Sequence, residues 1–92
     1  MKLKIIEENP DFISVEVKDV DQSVVNLVTE TLNTMEGVLY AGYRLEHPLT
    51  GKMTVSVKVD PAKTSPRKSL LDALNNLDQM FELFDEQLKI LR

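Results

Sequence analysis

From Ser65 to Arg92 nothing interrupts a helix, and that helix has more apolar surface than a chain of this size can cover. Ser65 supplies a hydroxyl N-cap and Pro66 falls in the first turn, where a missing N–H is harmless. Beyond them Leu70, Leu74, Leu77, Phe81, Phe84, Leu88 and Leu91 recur at alternating steps of four and three. At ~100° per residue they stay within one narrow sector. Ala73 and Met80 widen this seam on one side, while Leu71, Leu83 and Ile90 fall roughly 100 to 160° from its centre. One flat surface cannot cover both sets. Such a helix is ~40 Å long, whereas a six-residue strand reaches only ~20 Å, so about half of the helix overhangs any sheet built here. The overhang carries Phe81, Phe84, Leu88 and Leu91. Burying each is worth roughly 1.5 to 3 kcal/mol, against ~5 to 15 for a whole domain. A second polypeptide is the expected cover; the competing reading is a solvated tail that frays.

The rest of the chain supplies a sheet and a second helix. Leu3 and Ile5 alternate with Lys2 and Lys4, Glu8-Asn9-Pro10-Asp11 is dense turn chemistry, and Ile13, Val15 and Val17 alternate with Ser14, Glu16 and Lys18. This predicts a hairpin with one wet face. From Val20 the period changes, and Val24, Leu27, Val28, Thr31, Leu32 and Met35 form a helical stripe about 13 residues long, capped by Asp21 or Ser23. The valines are modest helix formers, but Asn26, Thr29, Glu30 and Asn33 occupy a polar face, so period outweighs propensity. Gly37 is the expected stop. Val38 to Leu45 reads as a strand with Gly42 as a bulge or close-packing point, ended by His47-Pro48-Leu49. After Thr50-Gly51, Met53, Val55, Val57 and Val59 alternate with Thr54, Ser56 and Lys58 until Asp60-Pro61. The order is ββαββα: a two-layer α+β domain over residues 1–92, with a four-stranded, mainly antiparallel sheet and both helices on one face.

Composition removes several function classes. Ninety-two residues allow one domain, near the lower comfortable size for a core. With no cysteine and only His47 as imidazole, neither a disulfide framework nor a thiolate or histidine-pair metal site is available. The net charge of −4, from 15 acidic and 11 basic residues spread along the chain, offers no basic stripe in the sequence for a phosphate backbone. No apolar run reaches membrane-spanning length, and Met1-Lys2-Leu3-Lys4 leads into a strand instead of a signal core, which points to the cytosol.

Catalytic constellations are equally thin. His47 could be a general base, but beside a proline, with no nucleophile or carboxylate at catalytic spacing, it reads as a packing or backbone-bonding residue. The carboxylates Glu7, Glu8 and Asp11, and Glu82, Asp85 and Glu86, could suggest metal or acid-base work; they read better as solvated faces. Gly37, Gly42 and Gly51 are too scattered to cradle a phosphate. Tyr40 and Tyr43, three apart on a strand, project to opposite faces and cannot form one stacking platform. Met35, Met53 and Met80 sit at apolar positions as filler. No catalytic, cofactor-binding or metal-binding residue is expected.

Asp21-Gln22-Ser23-Val24-Val25-Asn26-Leu27-Val28, then Gly37-Val38-Leu39-Tyr40-Ala41-Gly42-Tyr43-Arg44, then His47-Pro48-Leu49 resemble subunit L of archaeal RNA polymerase. The likeness covers nearly the whole chain, and the absence of an extension before the first strand is similar to the short archaeal form instead of the longer eukaryotic eleventh subunit. Asn26, Tyr43, His47, Pro48 and Leu49 are its motif positions. Asp21-Gln22-Ser23 stands where the family usually shows Asp-His-Thr, and Val59-Asp60-Pro61 where it shows Thr-Asp-Gly. Helix capping survives both changes.

The resemblance implies a non-catalytic assembly subunit of DNA-directed RNA polymerase. Such a protein forms a heterodimer with the D-type polymerase subunit, the two standing in for the bacterial alpha dimer and nucleating assembly of the large catalytic subunits, with no direct nucleic-acid contact. Since the helices of both partners pack in that dimer, Leu27, Thr31, Leu70, Leu74, Leu77, Phe81 and Phe84 are the expected interface. Two other readings stay open: a stand-alone homodimeric α+β module that binds a small ligand between sheets, and a small hydrolase using His47, for which no nucleophile is in sight.

Overall fold

A computed structural model describes residues 2–47 and 51–90, apart from the side chains of His47, Phe84 and Ile90. Its elements are β1 (Lys2–Asn9), β2 (Phe12–Lys18), α1 (Gln22–Asn33), β3 (Val38–His47), β4 (Lys52–Val59) and α2 (Pro66–Ile90). The expected ββαββα order holds. The sheet runs β1-β2-β4-β3 and every pairing is antiparallel.

Register turns the alternation of the sequence into two faces. Ile5, Val15, Val55 and Tyr43 line up across the four strands, as do Leu3, Val17, Met53 and Leu45, and both rows face the helices. The intervening rows, such as Lys4, Glu16, Thr54 and Arg44, face away. With both helices on one side, the molecule is a slab of 47 × 38 × 16 Å, and its core is Ile13, Val15, Val17, Met53, Val55, Val57 and Val59 against Val25, Val28, Leu32, Ala73 and Leu77.

The local signals act largely as expected. Asp21 caps α1, its carboxylate accepting from the Ser23 N–H at 2.8 Å and the Ser23 hydroxyl at 2.7 Å, which lowers the Asp21 pKa. Ser65 caps α2, its hydroxyl accepting from the Lys68 N–H at 3.2 Å. Gly37, however, does not stop α1. The helix ends at Thr34, whose own hydroxyl donates to the Thr31 carbonyl at 2.7 Å, and Gly37 opens β3 at a φ of 88°, its carbonyl accepting from the Asp60 N–H at 2.8 Å. Gly42 is not a bulge either. The irregularities of β3 lie between Val38 and Tyr40 and between Leu45 and His47. Gly42 is instead a close-approach point, for the Tyr40 phenol lies across it and a Cβ there would stand 2.8 Å from the Tyr40 ring carbon Cζ.

Both helices are rolled relative to their apolar stripes. The residues α1 buries are Val25, Val28, Thr29 and Leu32, a face turned roughly 80° from the stripe expected from Val24 to Met35. The residues α2 buries are Pro66, Ser69, Ala73 and Leu77, roughly 45° from the centre of its seam. Each helix therefore gives one flank to its own sheet and leaves the other uncovered.

Candidate docking face

The uncovered flanks meet in a groove. Between α1, α2 and the β1–β2 edge lies an apolar depression of about 120 Å³ whose walls include Leu3, Val17, Val20, Val24, Leu70 and Leu74. Every residue lining it is aliphatic. Leu3 pairs with Val17 and Ile5 with Val15, so both point to the helix side, yet they remain 55% and 44% exposed. The β1 edge lacks the cover that β2 receives.

A bulge and an ion pair place this edge. Between Ile5 and Glu7 the register slips by one, which brings Glu8 opposite Ile13 and onto the helix face. There its carboxylate accepts from Arg67 Nε at 2.9 Å and Nη2 at 2.7 Å. The hydrogen bond from that guanidinium, helped by its charge, holds the Glu8 carboxyl below the usual carboxylate range. The forked contact ties the start of α2 to the tip of the first hairpin and leaves the groove between them open.

Beyond the sheet, α2 continues alone. Every described side chain from Asp78 to Lys89 is exposed, so the expected overhang is present. Phe81 is 57% exposed and Leu88 53%, and both continue the flank started by Leu70 and Leu74. Leu83 and Leu71 are exposed on the far side.

The expected interface residues separate into three groups. Leu74 and Phe81 are exposed on the open flank, with Leu70, Leu27 and Thr31 half-buried beside it. Leu77, expected at the interface, is 6% exposed and packs in the chain's own core, because the roll of α2 turns it inward. Phe84 lies on the overhanging part of α2, with its side chain outside the described residues.

Of the motif positions, Asn26 is exposed on α1, its amide donating to Glu30 at 3.3 Å. Tyr43 sits on the helix face of β3, its phenol oxygen accepting from the Gln22 amide at 3.3 Å. His47 ends β3, and Pro48 and Leu49 lie outside the described residues. Leu3, Ile5 and Val24 are the surface residues that sequence reasoning missed. Alternation places Leu3 and Ile5 on the dry side, but nothing in the sequence says that β1 is an edge strand with no helix above it.

Among the described residues no three His, Asp or Glu side chains gather closely enough to hold a metal ion, and no helix is long and apolar enough to cross a membrane. An open aliphatic shelf built from two helix flanks and a strand edge defines a protein-association module. The chain belongs to the RNA polymerase Rpb3/Rpb11 dimerisation domain family, which matches residues 13–87. It is 29% identical to the DNA-directed RNA polymerase subunit Rpo11 of Saccharolobus solfataricus, over 97% of this chain and 96% of that one. To its counterpart from Metallosphaera sedula it is 27% identical, over 97% and 98%. The fold is shared with the crystal structure of DNA-directed RNA polymerase subunit L from Thermoplasma acidophilum, with a TM-score of 0.85 and 22% identity over 96% of this chain and 85% of that one.

Proposed function

We propose that this chain is the L-type (Rpo11-type) subunit of a DNA-directed RNA polymerase, one alpha-subunit-like dimerisation domain that works in the cytoplasm by assembly and performs no chemistry itself. Through the shelf it pairs with the D-type subunit, and the pair nucleates assembly of the large catalytic subunits. The observation that carries this reading is the continuity of Leu3, Val24, Leu74 and Phe81 across three elements, an apolar surface that the chain leaves uncovered. Obligate interfaces have this composition, with polar groups confined to the rim.

Co-expression of the chain with a candidate D-type subunit tests it. The wild-type chain is expected to co-elute with that partner in size exclusion, and Leu74→Asp and Phe81→Asp to lose it. Wild-type recovery of the partner by both variants would overturn the reading. Light scattering on the isolated chain separates the homodimeric alternative, which requires a tight, soluble dimer with no partner present.

A further inference from the structure

The sheet face turned away from the helices differs in charge from the rest of the molecule. The register places Lys2, Lys4, Lys18, Arg44, Lys52 and Lys58 there, with Glu7, Glu16 and Glu46 as the carboxylates. Counting also Asp19, which meets Lys2 at 4.0 Å at the rim, that is six of the eleven Lys and Arg residues but only four of the fifteen Asp and Glu, so this face carries +2 while the rest of the chain carries −6 within the total of −4. The imbalance is hidden in the linear sequence, because the basic residues are spaced at alternate positions of separate strands.

At the centre of this face is an open basin of about 340 Å³ whose lining includes Ser14, Tyr40, Gly42, Arg44, Thr54 and Ser56. It exists because Gly42 has no side chain, Ser14 and Ser56 pair across the strands with short ones, and the Tyr40 ring forms a wall. The basin presents hydroxyl groups and the edge of the Arg44 guanidinium that its bonds to Glu46 leave over, a donor set suited to carboxylates and carbonyl oxygens.

We propose that this outer sheet face docks an acidic segment of a second protein, simultaneously with occupation of the apolar shelf on the opposite side. Charge complementarity selects the partner: Lys58 is paired opposite Tyr40 at the basin's wall, Lys4 lies on the outermost strand on the far side of Glu16, and among the described residues neither has a carboxylate at ion-pair distance. A nucleic acid fits less well. Glu16, which holds Lys18 at 3.4 Å and Lys52 at 3.3 Å, and Glu46, which holds Arg44 at 2.8 Å, stand among the cations and would repel a continuous phosphate backbone. A protein segment can place discrete carboxylates at Lys58, the basin and Lys4 while setting uncharged residues over Glu16 and Glu46.

The test is fluorescence anisotropy of labelled poly-L-glutamate titrated with the full chain, with single-stranded DNA run in parallel at the same ionic strength. Poly-L-glutamate is expected to bind more tightly than DNA and to weaken as salt is raised. Lys4→Glu/Lys58→Glu should weaken it by about tenfold or more, and the milder Lys58→Gln by a smaller factor. Lys68→Glu, on the helix side, should leave binding within about twofold. Absence of binding, tighter binding of DNA, or equal loss in Lys68→Glu overturns the proposal. Because the outer-face variants leave the shelf intact, they should still co-elute with the D-type partner, so failure here and failure of the pairing reading are distinguishable.

Discussion

Asn33, the last residue of α1, acts on the edge of the sheet. Its amide donates to the Ala41 carbonyl at 2.9 Å and its carbonyl oxygen accepts from the Ala41 N–H at 2.9 Å. Both backbone groups of Ala41 on the open side of β3 are thereby occupied, and a foreign strand cannot pair there. Asn33→Ala leaves the N–H and carbonyl of the buried Ala41 unmet on that side, which should destabilise the fold by ~1 to 3 kcal/mol in urea unfolding. The carboxylates act on stability through pH. Partial burial pushes Glu16 upward, but hydrogen bonds from Lys52 and Lys18 outweigh it and the net shift is downward. Glu46 is lowered mainly by its bond to Arg44, and Glu8 and Asp21 are lowered as described. A carboxylate with a depressed folded pKa contributes stability that is complete above its unfolded pKa and lost as pH falls through the folded one. The melting temperature should thus be flat near neutrality and drop once pH passes below ~4. Arg67→Gln should melt lower at neutral pH and show a shallower acid drop.

At the scale of elements, α2 joins two environments in one helix. Leu77 fills the core and Phe81, one turn further on, projects from it. Leu77→Ala should cost ~2 to 4 kcal/mol of stability, whereas Phe81→Asp should leave the isolated chain's denaturation midpoint within ~0.5 kcal/mol of wild type and act on pairing alone. A reversed pattern in chemical denaturation would refute the division. The strands, the capping residues Asp21 and Ser65, the element order and the overhang of α2 are all legible in period and turn chemistry. The roll of the helices is not, because a stripe wider than one contact surface averages two surfaces, one internal and one external. For that reason Leu77 is turned into the core and Val24 out of it. Gly37 looks like a stop, yet Thr34 closes the helix with its own hydroxyl, a local competition that a glycine rule does not register. The sheet's outer charge is equally illegible, since it depends on strand order and register.

Across the whole molecule, opposite faces of a slab 16 Å thick present opposite chemistry: aliphatic on the helix side, hydroxyl-rich and basic on the other. The apolar face should make the unpaired chain's melting temperature depend on its partner, rising as the D-type subunit is added and levelling once that partner is in excess. A transition indifferent to the added partner would contradict the pairing reading. The bare second half of α2 has a further effect. Held by its own backbone ladder and a surface pair of Lys89 with Asp85 at 3.2 Å, that length should unravel far more readily than the sheet and offer proteases an accessible substrate whenever no partner covers it. Surplus copies would be trimmed and cleared while assembled ones persist, so an overhang that serves the proposed pairing would also adjust the abundance of this chain to the supply of that partner.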